Sequence, residues 1–463
     1  MTWLDAPFAK DPAPAARRQQ LASTSGATAL VSAGTFVGRN YRGNPYPFRA
    51  SSHFLYLLGE AGAHLPGAHL LLRDGAWTLF TTPPDADDAL WHGPTPTLAD
   101  LQNTLQLDVQ PLDTLAAVLR DVDAAALPAV DGTTRQAQHQ LLQRTPALDD
   151  TRDAHLAQAM IDLRLVHDAA AIDGLRQAAR GTVKAHAAGM AATAVGEGEW
   201  HVHAAMEHAL MQEGMTTAYG AIVSVHGEVL HNHGHSNVMQ DGDLLLVDVG
   251  AETPAGYAGD VTRTWPVNGR FSSTQRDIYD VVLAAERAAI DCAGPGVRYR
   301  DVHLTAARVL TQGLKDLGIF TGDVDGLVED GVHALFFPHG VGHLLGLDVH
   351  DMEDLGDLAG YAAGRARSEQ FGLCYLRLDR DLQPGMAVTI EPGFYQVPAI
   401  LDDDERCSIA KGRLDRERLA DFADVRGIRL EDDVLITEDG REVLTRDIPI
   451  AADDVEAAVG QNT

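Results

Sequence analysis

Residues 338–351 read PHGVGHLLGLDVHD, which sets His339, His343 and His350 among glycines and aliphatic residues. A glycine-punctuated apolar segment heads for the core, where an imidazole must find a partner or lose its solvation. Each of the three histidines therefore needs a hydrogen bond or a function, and the acidic segments elsewhere in the chain offer both.

The chain has 463 residues, more than one core usually serves, so two domains are expected. Lys and Arg total 36 against 66 Asp and Glu, a formal net charge of −30. That charge repels phosphate backbones and anionic bilayers, so neither nucleic acid nor a membrane is an expected partner. Some of the carboxylates can instead gather around divalent cations, which favour oxygen ligands. Cys292, Cys374 and Cys407 are too few and too widely spaced for a disulfide framework or a CxxC zinc site. The opening MTWLDAPFAKDPAPAARRQQ lacks the apolar run of a signal peptide, and no run is long enough to span a bilayer. The expected location is cytoplasmic.

Short β-type runs, TALVS (28–32), HLLLR (69–73) and WTLFT (77–81), alternate with turns and Ala/Leu-rich helices, predicting a small N-terminal α/β domain over 1–155. A charged helical stretch at 147–165 marks its end. From 160 to 463 helices (169–193, 199–214, 275–290, 302–318) and strands (AIVSVHG, DGDLLLVDVGAE, YAGDVTRTWPVNG, AVTIEPGFY, GIRLEDDVLIT) are grouped rather than alternating. This predicts an α+β domain with a mainly antiparallel sheet.

Asp248 in LLLVDVGAE, Asp260 in YAGDVTRTW, Glu391 in VTIEPGFY and Glu431 in IRLEDDV each place a carboxylate within a strand-like segment. Any one of them alone reads as a salt-bridge or turn partner. Four buried together repel one another unless a cation neutralises them. With His343 added, the set can ligate two divalent metals, ~3.5–4 Å apart in sites of this kind, and the chemistry is then hydrolysis. Other histidine clusters carry less: HVHAAMEH (201–208) reads as an exposed helix without the HExxH order, and HNHGH (231–235) as a solvated turn. GVGHLLG follows no dinucleotide fingerprint, and no GxSxG or Cys/His arrangement signals a covalent nucleophile.

The ordered motifs DVG, AGDVTRTWPVNG, PHGVGHLLGLDVHD, TIEPGFY and IRLEDDV resemble the Xaa-Pro peptidases of the pita-bread metallopeptidase fold, the group of aminopeptidase P and prolidase. The resemblance spans about residues 160–450, and GNPYPFRASSHFLYLLG with DALWHG resembles the N-terminal domain of the same group. It implies that Asp248 binds one metal, that Asp260 and Glu431 bridge both, and that His343 and Glu391 bind the other. It also implies manganese as the cation, with zinc or cobalt as alternatives. His231, His339 and His350 would assist catalysis, with His339 and His350 lining the pocket and His231 and His350 also holding substrate, and Arg429 would support the site. One of His339 and His350 is expected to donate a hydrogen bond to the substrate carbonyl or its oxyanion, the alternative being that both are satisfied core histidines. Glu391 is expected to carry the proton from an acidified water to the proline nitrogen. The segment DVGAETPAGYAGD is one residue longer than the group's usual spacing, with TPAG as the expected turn.

In CYLRLDRDLQPGM the Arg377-x-x-Arg380 pattern resembles the prolidase branch, in which the first arginine meets the C-terminal carboxylate of a dipeptide. The alternative is that Arg377 pairs locally with Asp379 or Asp381. The long insert between Glu391 and Glu431 also resembles prolidases. The expected substrate is thus an Xaa-Pro dipeptide, with aminopeptidase P action on longer peptides as the alternative. A non-catalytic binding module is the third reading, disfavoured because all five ligands are present. The resemblance further implies a dimer or tetramer.

Overall fold

The computed structural model describes residues 3–6, 11–41, 43–85 and 87–460. Two compact units result, Met1–Leu165 with Pro254–Gly256, and Val166–Thr253 with Tyr257–Thr463. Among the described residues no helix is long and apolar enough to cross a membrane.

The first unit is built on β1 (Ala29–Ser32), β2 (His69–Arg73), β3 (Ala76–Thr81), β4 (Asp108–Pro111) and β5 (Ala125–Ala126), in the order β4-β3-β2-β1-β5. The β2–β3 hairpin closes through Asp74 (φ 49°) and Gly75 (φ 77°), the dipeptide that favours a two-residue turn with both φ positive. β3/β4 and β1/β5 run parallel and the other pairs antiparallel, so the expected α/β character holds as a mixed sheet with helices.

In the second unit the helices cover Ala169–Ala192, Glu199–Gln212, Ser273–Cys292 and Tyr299–Asp316, within a few residues of the expected spans. Two of them start on side-chain caps, Asp168 accepting from the Ala171 amide and Ser272 from the Gln275 amide. The remaining strands are β6 (Thr216–Thr217), β7 (Ile222–Ser224), β8 (Leu244–Asp248), β9 (Ala251–Glu252), β10 (Thr262–Pro266), β11 (Ala387–Ile390), β12 (Gly393–Tyr395), β13 (Gly427–Arg429), β14 (Asp432–Thr437) and β15 (Gly440–Val443). Their pairings are all antiparallel, but they form short separate sheets, β10-β8-β7, β11-β14-β15, β12-β13 and β6-β9, rather than one. Trp265, Val247, Leu245, Met206 and Val202 pack under the first of these sheets, and the Trp265 indole donates to Thr193 Oγ1 at 2.9 Å.

One expectation is corrected. Only Asp248 lies within a strand, as the last residue of β8; Asp260, Glu391 and Glu431 fall just outside β10, β11 and β14. The strands stop where pairing stops, which lets the acidic side chains turn into a shared space instead of across a sheet face. Backbone crowding at this point is severe. A Cβ added to Gly250 would lie 1.7 Å from the Gly259 carbonyl oxygen, so the chain leaving β8 and the chain entering β10 touch directly.

Gly250→Ala should therefore force those two segments apart, destabilising the protein by roughly 2 kcal/mol or more and weakening cation binding. Urea unfolding read by tryptophan fluorescence, with metal content by elemental analysis, checks this; wild-type stability together with full metal retention would contradict it.

Candidate metal centre

The register of the sheets explains how distant residues meet. Ile390 pairs with Asp432 across β11/β14, so Glu391 and Glu431, each next to that paired end, emerge side by side. Thr262 pairs with Asp248 across β10/β8, which brings Asp260 beside Asp248. The 338–351 segment then lies along β11. The His343 amide donates to Thr389 Oγ1 at 3.1 Å, the Thr389 amide to the His343 carbonyl at 3.0 Å, and the Glu391 amide to the Val341 carbonyl at 2.8 Å. Gly342 permits this approach: with φ at 153°, a Cβ there would sit 2.3 Å from both the Thr389 carbonyl oxygen and the Tyr299 hydroxyl.

The result is a cluster in which Asp248, Asp260 and Glu431, and again His343, Glu391 and Glu431, bring donor atoms within 4.8 Å of one another. His343 Nδ1 lies 3.0 Å from the Leu344 carbonyl, which can only accept, so the proton sits on Nδ1 and the Nε2 lone pair faces the carboxylates. Nε2 is 3.4 Å from Asp260 Oδ2 and 3.7 Å from Glu391 Oε1. A lone pair among carboxylates is repelled unless a cation lies between them. The carboxyl groups register the same frustration. Burial, then the Asp248 charge, pushes Asp260 up to about 8. Burial raises Glu391 to about 7, and burial with the charges of Asp260, Glu391 and Asp248 holds Glu431 well above the carboxylate range. Carboxylate oxygens with one imidazole suit a hard or borderline divalent cation.

Of the supports of this cluster, Arg429 was expected from the resemblance, whereas Tyr219, Thr262 and Tyr395 were not legible as site residues in the sequence. The Tyr219 hydroxyl reaches Asp248 Oδ1 at 2.6 Å and Asp260 Oδ1 at 2.5 Å, showing that the longer TPAG turn does not pull the two aspartates apart. Arg429 spreads its donors over three partners: Asp248 Oδ2 at 2.5 Å, Thr262 Oγ1 at 2.8 Å and the Tyr395 hydroxyl at 3.1 Å. Thr262 in turn donates to Glu431 Oε2 at 2.7 Å. Tyr395 sits in the quoted EPGFY and Thr262 in the quoted AGDVTRTW, but neither chemistry nor spacing distinguished them; Tyr219, in TTAYG, carried no signal.

His231, His339, His350, Arg377 and Arg429 all line the same cavity of about 590 Å³ as the five candidate ligands. The expectation for His339 as a donor to substrate is corrected. Its Nδ1 lies 2.8 Å from the Gly340 carbonyl and must carry the proton, so Nε2, 2.9 Å from the Tyr395 hydroxyl, accepts from it and both ring nitrogens are occupied. His350 lies tilted beside His343, ring centroids 4.0 Å apart and planes at 42°, and one of its ring nitrogens falls within 4.8 Å of donor atoms of Asp260 and His343. Arg377 does not pair with Asp379 or Asp381: Asp379 is held by Arg298, both contacts 2.6 Å, and Asp381 by Arg365 at 2.7 Å. Its partner is Glu353, with Nη1 2.6 Å from Oε2. Arg380 donates to the Ala359 and Leu358 carbonyls at 2.6 and 2.7 Å, a structural role.

Known proteins place this arrangement. Residues 173–438 match the model of metallopeptidase family M24, and residues 15–127 match the aminopeptidase P N-terminal domain. The chain belongs to metallopeptidase family M24, and its second unit has the pita-bread fold. Among its relatives, Xaa-Pro aminopeptidase 2 of Streptomyces coelicolor is 32% identical over 480 residues, covering 98% of this chain and 92% of the relative. Human Xaa-Pro dipeptidase is 30% identical over 459 residues, covering 96% and 90%. Of solved structures, zinc-substituted E. coli aminopeptidase P in complex with product aligns with a TM-score of 0.79 at 29% identity over 96% of this chain and 97% of that one.

A pH dependence follows for protein stripped of metal. Carboxyls whose folded pKa is raised contribute stability that is complete below the unfolded value near 4 and is lost as pH rises through about 7 for Glu391 and about 8 for Asp260. In chelator-treated samples the wild type should lose, relative to Asp260→Asn, on the order of a few kcal/mol between pH 4 and pH 8. Denaturant melts of both proteins across that range check the sign, and a pH-independent difference would contradict it.

Proposed function

We propose that the enzyme hydrolyses the peptide bond preceding proline, using two divalent cations held by Asp248, Asp260, His343, Glu391 and Glu431. The observation that carries this reading is the convergence of those five side chains on one wall of a peptide-sized cavity. The relatives named Xaa-Pro aminopeptidase and Xaa-Pro dipeptidase support the bond type. When bound, the cations polarise the scissile carbonyl and acidify water. Manganese is the proposed metal, in keeping with the oxygen-rich donor set.

The chain's own groups divide the remaining work. Arg429, tied to Asp248, Thr262 and Tyr395, keeps the carboxylate cluster in register. Glu391, partly open to the cavity, takes a proton and returns it to the proline nitrogen, which needs one to leave. His231 and His350, unlike His339, retain capacity to contact the scissile carbonyl. Proline suits the cavity because its tertiary amide has no N–H to satisfy and its φ is fixed, while Leu230, Phe371 and Val397 supply apolar lining.

The dipeptidase reading rests on Arg377, which stands in the cavity wall where a guanidinium could meet a free C-terminal carboxylate. A second reading, cleavage of longer peptides, is favoured by the ion pair that Arg377 already makes with Glu353. The reading also carries a cytoplasmic location, supported by three cysteines that are all free, and a homo-oligomer.

Manganese-loaded enzyme should release proline from Ala-Pro or alanine from Ala-Pro-Ala, lose both activities in chelator, and lose about 10²–10⁴-fold in kcat on Glu391→Gln. Metal content of the variant must be measured alongside, because Glu391 is also a proposed ligand. Failure on both peptides with full metal occupancy would remove the Xaa-Pro assignment.

A further inference from the structure

Beside the cavity, in a smaller pocket that shares His343 and Arg377 with it, lies a charged group with no part in the scheme above. Glu353 opens a single 3-10 turn, Glu353–Leu355, directly after the His350 segment. Its placement is set by Met352, which is buried at 1% exposure and adopts φ 61°, and by Gly356 at φ 62° closing the turn. Arg380 braces the next stretch through the Leu358 and Ala359 carbonyls. The turn is therefore held from both sides, and Glu353 is presented rather than loose.

A single oxygen of Glu353 serves two cavity groups. Oε2 accepts from Arg377 Nη1 at 2.6 Å and from His350 Nδ1 at 3.1 Å. Arg377 and Glu353 are partly open to solvent, with side-chain exposures of 38% and 35%, so a ligand can reach the pair and compete for it. A guanidinium that already holds one carboxylate is electrically neutralised toward a second, and the second must share the fork or displace the first.

Resting on the Xaa-Pro reading, we propose that Glu353 is the specificity-determining residue of this pocket: it occupies Arg377 as an internal carboxylate and so weakens selection for substrates that end at proline. Peptides extended beyond proline lose nothing by this, since they bring no carboxylate to that position. The arginine that resembles the prolidase pattern is thus held back by a glutamate that the pattern does not include. Glu353 acts through Arg377 and does not itself touch the scissile bond.

The test uses manganese-loaded full-length protein as wild type, Glu353→Gln, Arg377→Met and the double variant. Substrates are Ala-Pro, its amide Ala-Pro-NH2 and Ala-Pro-Ala. Gln keeps an acceptor for His350 while removing the charge, so Glu353→Gln should raise the kcat/KM ratio of Ala-Pro over Ala-Pro-NH2 by on the order of tenfold, through KM. The double variant should erase that gain. An unchanged or lowered ratio would overturn the proposal, the lowered one meaning that Glu353 orients Arg377 for the carboxylate. A merely structural role would depress kcat on all three substrates alike and would also overturn it. Calorimetric binding of proline against prolinamide reads the same preference without turnover. If wild type cleaves none of the peptides while Glu353→Gln still gains affinity for proline over prolinamide, the Xaa-Pro reading falls and the role of Glu353 stands; if neither appears, both fall.

Discussion

Repulsion among acidic side chains is the constraint on which the second unit is built. Asp260 and Glu431 are almost fully buried, Asp248 and Glu391 sit beside them, and the lone pair of His343 points the same way. Left to themselves these groups hold protons that carboxyls in water would lose, and the pKa values of about 8 for Asp260 and about 7 for Glu391 express that cost. A divalent cation held between them would offset that repulsion. The fold tolerates the uncharged or metal-free state because it surrounds the cluster with donors, Tyr219 between two aspartates and Arg429 against Asp248, rather than with further acceptors.

The same constraint explains the broken sheets. A continuous sheet would alternate side chains to opposite faces and could not aim four carboxylates at one volume. Ending β8, β11 and β13 close to the acidic residues and laying the glycine-rich 338–351 segment against β11 brings all five donors to one place. The close contact of Gly250 with the Gly259 carbonyl, and of Gly342 with Thr389, is the steric counterpart of that convergence. Side chains at either position would widen the space in which the ligands must meet.

The cavity around the centre is asymmetric in its electrostatics. On one side Arg429, Tyr395 and His339 form a chain of hydrogen bonds that ends on the Gly340 carbonyl. On the other, His350, Glu353 and Arg377 form a partly exposed group that a ligand can enter. The first side braces the carboxylate cluster through Arg429. On the proposed reading, substrate length is decided at the second.

The spans of the chain's long helices, the N-terminal strands and the five acidic and histidine donors were legible in the sequence. Each depends on local chemistry: periodicity, or an ionisable group in an apolar run. The tertiary structure alone decided that three of the four carboxylates lie beyond strand ends, that His339 donates inward to a carbonyl, and that Tyr219, Thr262 and Tyr395 brace the centre. It also replaced Asp379 and Asp381 by Glu353 as the partner of Arg377, 24 positions away. Sequence spacing ranks neighbours along the chain, whereas a hydrogen bond or an ion pair depends on distance and direction in space, and for these residues only folding brings the partners together.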